Sequence, residues 1–161
     1  MNEIRHVVFD LGQVLIGWDP EAPYRRLIPD ETERARFFAE VCTHDWNLEQ
    51  DRGRSWREAE EALIAEHPQH ADLIRAFRAN WWEMIPGAID ANVAIVEDLI
   101  DRGIDVTALT NWASDTYAEA DAEFPILAKF RGGTVSGRVR LVKPDPAIYR
   151  HHHHTHALRP E

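Results

Sequence analysis

The stretch Arg5-His-Val-Val-Phe-Asp10-Leu-Gly12-Gln-Val-Leu-Ile16 constrains this chain more than any other. A short apolar run, Val7 to Phe9, ends in an acid. A glycine follows two residues later, before a second apolar run. Such a run predicts a buried strand of the kind found in a parallel sheet covered on both faces. Asp10 then stands at the strand's carboxyl end, the edge where open α/β sheets bind ligands. Gly12 is expected to let the backbone turn sharply and approach a ligand closely. An acid held there can act as a nucleophile or a metal ligand, or simply begin an ordinary strand-to-loop turn.

At 161 residues and 44% hydrophobic, the chain can bury a core and reads as one domain with an inserted subdomain. A formal net charge of −10 argues against non-specific binding to nucleic acid or an anionic membrane. No apolar run is long enough to span a bilayer. The opening Met-Asn-Glu-Ile-Arg-His lacks the pattern of a secretory signal. The single cysteine, Cys42, excludes an internal disulfide, fits a reducing cytoplasm and reads as a small buried hydrophobe. Nothing in the sequence specifies an oligomeric state.

Residues 17–86 lack a convincing period-2 strand and read as a small helical bundle. Asp30 with Glu33 predicts a capped helix start leading into Ala35, Phe38 and Val41, and Ser55 with Glu58 is a capping box. Leu73, Ile74, Phe77 and Trp81 recur at helical spacing. Trp46, Trp56, Trp81 and Trp82 lie in this segment, where core packing is their first explanation. Asp51-Arg52-Gly53-Arg54 reads as a solvated loop whose arginines could also reach an anionic ligand.

Pro86-Gly87 marks a boundary, after which α/β alternation resumes. Asp90 to Arg102 predicts an amphipathic helix ended by Gly103. Ile104 to Leu109 predicts a strand ending in Thr110-Asn111. Ser114 is a plausible cap for a helix running to about Glu123 and stopped by Pro125. Gly132 to Gly137 reads as a short strand between turns, and Asp145 caps a helix with Pro146 at its first position. Lys143 stands just before that helix.

Asp10, Thr110 with Asn111, and Lys143 therefore fall at strand ends or in the loops that follow. Parallel strands place their carboxyl ends on one edge, so all can converge there. Asp10 would attack an electrophilic centre. The Thr110 hydroxyl and the Asn111 amide would hold a charged oxygen, and the Lys143 ammonium would neutralise charge on nucleophile and transition state. The backbone N–H groups after Asp10, at Leu11 and Gly12, could form an anion-binding nest.

In this order the motifs resemble the haloacid dehalogenase-like superfamily of hydrolases over the whole chain. Phe9-Asp10-Leu-Gly12-Gln-Val-Leu looks like the family's first motif, Leu109-Thr110-Asn111 like its second, and Lys143-Pro144-Asp145-Pro146-Ala-Ile-Tyr149 like its third. The resemblance implies a Rossmann-like α/β core over residues 1–16 and 87–161, with residues 17–86 as an inserted helical cap. It implies an aspartyl-enzyme intermediate on Asp10 and usually Mg²⁺, held by the Asp10 carboxylate and the Gly12 carbonyl. Most members are phosphatases, and the Asp-Leu-Gly form is similar to a branch of bacterial sugar-phosphate phosphatases. A small anionic substrate would then bind between Asp10 and the cap, with Trp18 either bordering the cleft or packed in the core.

Two departures matter. The phosphatase pattern usually has a second aspartate, acting as general acid and base, where this chain has Gly12. The 2-haloacid dehalogenases also lack that aspartate, but Leu11-Gly12-Gln13-Val14 does not match their motif either. The family's fourth motif, a strand ending in Mg²⁺-binding acids, should follow soon after the Lys143 helix, yet the sequence stops at Glu161. Leu158-Arg159-Pro160-Glu161 resembles the turn into that strand, so the expectation is an incomplete metal site. The readings that stand are a phosphatase, a C–halogen hydrolase, and a non-catalytic fragment or binding module. His151 to His154 with His156 is a possible Zn²⁺ or Ni²⁺ site, but consecutive helical residues point in different directions, so a solvent-facing helix is the alternative.

Overall fold

The computed structural model of the protein describes residues 4–158. In chain order the described residues form β1 (His6–Phe9), α1 (Tyr24–Leu27), α2 (Glu31–Glu40), α3 (His44–Asp51), α4 (Trp56–Glu66), α5 (Ala71–Ala79), α6 (Asp90–Asp101), β2 (Asp105–Thr110), α7 (Ser114–Glu123), β3 (Gly133–Val135), α8 (Ser136–Val139) and α9 (Pro146–Thr155). The chain divides into two compact units. One takes in Met1–Gly17, Asp51–Gly53 and Gly87–Glu161, the other Trp18–Gln50 and Arg54–Pro86.

The first unit is built on a parallel sheet in the order β1-β2-β3. Val7 faces Val106 and Phe9 faces Ala108 across one ladder, while Ala108 faces Gly133 and Thr110 faces Val135 across the other. Parallel strands need crossover connections, and α6 and α7 supply them. The strand buried along nearly its whole length is β2, from Val106 to Thr110. β1 departs from the expected burial on both faces: Val8 is 39% exposed. The reason is position, since among the described residues β1 pairs on one side only.

The turn after Asp10 also differs from the sequence reading. The carbonyl of Leu11 accepts the N–H groups of Val14, Leu15 and Ile16, at 3.2, 2.8 and 3.0 Å. Gln13, not Gly12, takes the left-handed conformation that this tight loop requires, with φ 60°. A β-carbon added at Gly12 would meet no atom within 4 Å. Gly103 closes α6 as its spacing predicts, at φ +78°. Ser114 is the first residue of α7 and not its cap. That place belongs to Ala113, in an extended conformation without a side-chain bond of its own.

In the second unit the local signals correspond to real helix starts. Asp30 accepts the Glu33 N–H at 2.9 Å, and Ser55 and Glu58 form a reciprocal capping box. Phe77 sits among the rings of Trp18, Tyr24, Trp46 and Trp56, with centroids 5.2 to 6.4 Å away. Truncating such a ring typically costs about 3–5 kcal/mol, so this cluster is the unit's core. Cys42 is buried beside it and 2% exposed. No helix among the described residues is long and apolar enough to cross a membrane.

Candidate functional site

Asp10 follows the last residue of β1, and its side chain is 42% exposed. One carboxylate oxygen, Oδ1, accepts the N–H of Leu11 at 2.8 Å. The other, Oδ2, lies 2.6 Å from the ammonium Nζ of Lys143, whose side chain is 19% exposed. Two oppositely charged groups in direct contact, one of them mostly sheltered from water, form a charge-assisted pair of fixed orientation.

Lys143 is held from behind by Asn111. The Asn111 side-chain N–H donates to the Lys143 carbonyl at 3.0 Å, and the Asn111 side-chain oxygen accepts the Lys143 N–H at 2.8 Å. From its place after β2, this amide is expected to hold a charged substrate oxygen. The structure spends both of its polar atoms on the Lys143 backbone, so Asn111 is a clamp joining the end of β2 to the start of α9. Beyond Lys143, Asp145 accepts the Ala147 N–H at 2.8 Å and Pro146 takes the first helical position.

Thr110 ends β2 and is 1% exposed; its hydroxyl lies 3.5 Å from the Asn111 carbonyl, at the limit of a hydrogen bond. The expected nest is reduced as well, because the Leu11 N–H is taken by Asp10 itself. Trp18 lies in the second unit, where its ring packs against Phe77 and Trp81 with centroids 6.4 and 6.3 Å away. Arg54, weighed as an anion ligand, donates instead to Gln50 Oε1 at 2.8 Å and to the Trp46 carbonyl at 3.1 Å.

Behind the site, the Trp112 N–H donates to Ser136 Oγ at 2.8 Å. A β-carbon on Gly137 would come within 2.6 Å of Ser114 N and 2.8 Å of the Trp112 carbonyl, so only glycine fits. The pattern Gly-Thr-Val-Ser-Gly carried the turn signal but not the partner. Asp51, in the same unit, accepts the N–H of Ala113. Burial raises its carboxyl to about 7, and the Ala113 N–H offsets only part of that. The Cys42 thiol is pushed up to about 12 by burial and by the nearby Glu60, which leaves it protonated and unreactive.

A metal site would need more than Asp10. Mg²⁺ prefers near-octahedral oxygen ligation with one or two carboxylates beside phosphate and water. Among the described residues no three His, Cys, Asp or Glu side chains stand close enough together to hold a metal ion. Asp10 would bring one carboxylate to such an ion, and Gly12 its backbone carbonyl. The histidine run does not gather into a metal site. Contrary to a wholly solvent-facing helix, His152 points inward and is 1% exposed, hydrogen-bonded to threonines of β2 and β3. The expected turn at 159–161 lies outside the described residues.

No protein-family model and no curated protein matches this sequence. Solved structures do. The chain superposes on the HAD family enzyme BT-2542 from Bacteroides thetaiotaomicron with a TM-score of 0.74 and 18% identity, covering 99% of this chain and 81% of that one. The same enzyme in complex with magnesium and inorganic phosphate gives a TM-score of 0.69 at 17% identity, over 97% and 80% of the two chains. L-2-haloacid dehalogenase from Xanthobacter autotrophicus, with chloropropionic acid covalently bound, gives 0.65 at 18% identity, over 99% of this chain and 67% of that one. With a helical segment inserted after the first strand and a parallel three-stranded sheet, this chain has the fold of the haloacid dehalogenase-like enzymes.

Proposed function

We propose that this protein is a haloacid dehalogenase-like hydrolase that cleaves phosphate monoesters of small metabolites, with Asp10 as nucleophile. The observation that carries the reading is the contact between Asp10 Oδ2 and Lys143 Nζ at 2.6 Å, at the carboxyl end of a parallel strand. In this reading a carboxylate oxygen of Asp10 attacks phosphorus while the bond from phosphorus to the ester oxygen breaks. The resulting aspartyl phosphate is then attacked by water at phosphorus, releasing phosphate and restoring the carboxylate. Lys143 neutralises charge as it moves from the carboxylate to the phosphoryl oxygens. Asn111 keeps Lys143 in place, Thr110 closes the strand end, and residues 17–86 act as the cap that selects the substrate.

The neighbouring enzyme BT-2542 has been crystallised with magnesium and inorganic phosphate, which supports phosphate as ligand and Mg²⁺ as the family's ion. In this chain Asp10 is the carboxylate that would face such an ion. One observation favours a second reading, C–halogen hydrolysis. Gly12 provides no acid side chain to protonate a leaving alkoxide, and halide needs none. Lack of a proton donor typically costs about 10²–10⁴-fold with a poor leaving group. A phosphate-release screen over sugar phosphates, run beside a halide-release assay on 2-haloacids with and without Mg²⁺, separates the two. Phosphate release that disappears in Asp10→Asn supports the first reading, halide release the second, and inactivity in both points to a binding module.

A further inference from the structure

A single file of polar side chains crosses the sheet of the first unit. Asp105 Oδ2 lies 2.9 Å from His6 Nδ1, and His6 Nε2 lies 2.9 Å from Thr107 Oγ1. Thr107 Oγ1 lies 2.9 Å from His152 Nε2, and His152 Nδ1 lies 2.9 Å from Thr134 Oγ1. The file joins β1, β2, β3 and α9. Thr107, Thr134 and His152 are 0, 3 and 1% exposed, so they are tolerated only with every polar atom paired.

With both rings neutral, the direction of every hydrogen in the file follows from donor and acceptor counting. The Asp105 carboxylate is ionised: burial raises its pKa, but hydrogen bonds from Arg131 and His6 outweigh that and hold it below the ordinary range. A carboxylate only accepts, so His6 carries its hydrogen at Nδ1. With His6 neutral, its bare Nε2 accepts from the Thr107 hydroxyl. Thr107 has one hydrogen to give, so toward His152 it can only accept. His152 must therefore carry its hydrogen at Nε2, and its bare Nδ1 accepts from Thr134. With both rings neutral, no other assignment satisfies all four contacts.

His152 has reason to stay neutral. It faces His6 on β1 and, through it, Asp105 on β2, whose charge is already matched by Arg131. On its own helix it faces His156, with ring centroids 4.5 Å apart, and it has His151 and His153 as neighbours. Burial first, and these histidines next, lower its pKa to about 4.

The two buried residues of α9 are Ile148 and His152, one turn apart. Contact through Ile148 is non-directional and would let the helix slide or rotate on the sheet. The paired nitrogens of His152 allow one seat only. At the other end of this helix stand Asp145, its cap, and Lys143, clamped by Asn111. We propose that His152 is a positioning residue for Lys143: the one-way chain from Thr134 to Asp105 seats α9 on β2 and β3, and α9 in turn presents Lys143 to Asp10. The positioning role rests on the reading of Asp10 and Lys143 as the reacting pair.

The test needs no turnover, so its failure and the failure of the hydrolase reading are distinguishable. Long-range proton–nitrogen spectra of the full chain at neutral pH should show His6 with hydrogen at Nδ1 and His152 with hydrogen at Nε2. In Thr134→Val the donor to His152 is lost without a change of shape. The side-chain amide resonance of Asn111 and the backbone amide of Lys143 should then shift, and exchange of the α9 amides should quicken by about tenfold or more. Thr134→Ser, which restores the hydroxyl, should restore all three. A His152 with its hydrogen at Nδ1 in the wild type would overturn the chain. Unmoved Asn111 and Lys143 resonances in Thr134→Val, with α9 exchange raised, would reduce His152 to a structural role.

Discussion

The ammonium of Lys143 lies 2.6 Å from the carboxylate of Asp10, although one residue follows the first strand and the other stands in the turn before α9. Each is oriented by a second contact, Asp10 by the Leu11 N–H and Lys143 by the Asn111 side chain. The pair is thus set by backbone geometry at both ends, the condition under which a charge contact supports chemistry as well as stability.

Removing either member should stop turnover and leave the fold. Asp10→Asn keeps the shape and the Leu11 contact but loses the nucleophile, and phosphate or halide release should fall by about 10³-fold or more. Lys143→Met should fall comparably. Lys143→Arg should not restore activity, because a planar fork does not replace a compact point charge. Circular dichroism should be unchanged in all three. Near-normal hydrolysis by Asp10→Asn would remove the central claim.

Gly12 is the position at which a proton donor can be added. Its β-carbon would enter open space, and the left-handed residue of the loop is Gln13. Gly12→Asp should therefore fold with an unchanged melting temperature. It should raise hydrolysis of alkyl phosphates by about 10²-fold while leaving aryl phosphates, whose leaving groups need no proton, nearly unchanged. An equal effect on both substrate types would argue against a missing general acid.

Two buried groups give opposite pH dependences. His152 is lowered to about 4 from 6.5, so the unfolded chain takes up this proton first as the pH falls. Stability should be lost between those two values, by about 3 kcal/mol in total. Urea unfolding of the wild type across this range should show the slope, and His152→Gln should be less stable near neutrality but flatter with pH.

Asp51 is raised to about 7 from 3.8, so here the folded chain holds the proton more tightly. Its contribution is present below the lower value and is lost as the pH rises through the upper one. Asp51→Asn, which can keep the bond from Ala113, should match the wild type near pH 4 and exceed it near pH 8 by up to about 4 kcal/mol. A variant less stable than the wild type at the higher pH would mean that a cation compensates the charge.

Gly137→Ala tests the seat of the loop that follows Thr110 and Asn111. Its new methyl would meet backbone atoms of Ser114 and Trp112 that cannot rotate away. A loss of about 1–3 kcal/mol is expected, together with reduced activity as the loop shifts. Unfolding curves and the Asn111 resonances check it. Gly12→Ala, where nothing is in the way, is the control.

What the sequence determined by itself is what short-range spacing controls. Asp30 with Glu33, Ser55 with Glu58, and Asp145 with Pro146 place helix starts through bonds within one turn. The apolar run before Asp10 puts the acid at a strand's carboxyl end, and the parallel pairing of β1 with β2 brings Asp10 and Thr110-Asn111 to one edge. Tertiary structure decided which donor meets which acceptor. Nothing local tells Asn111 to grip the backbone of Lys143, the Leu11 N–H to turn onto Asp10, or Gln13 to take the left-handed turn in place of Gly12. In the run His151 to His154, only the seating of α9 decides that His152 faces inward. A helix repeats every 3.6 residues, so four identical side chains point four ways. Thr107 and Thr134 reach the buried ring only because β1, β2 and β3 are in register, and that register belongs to the assembled sheet.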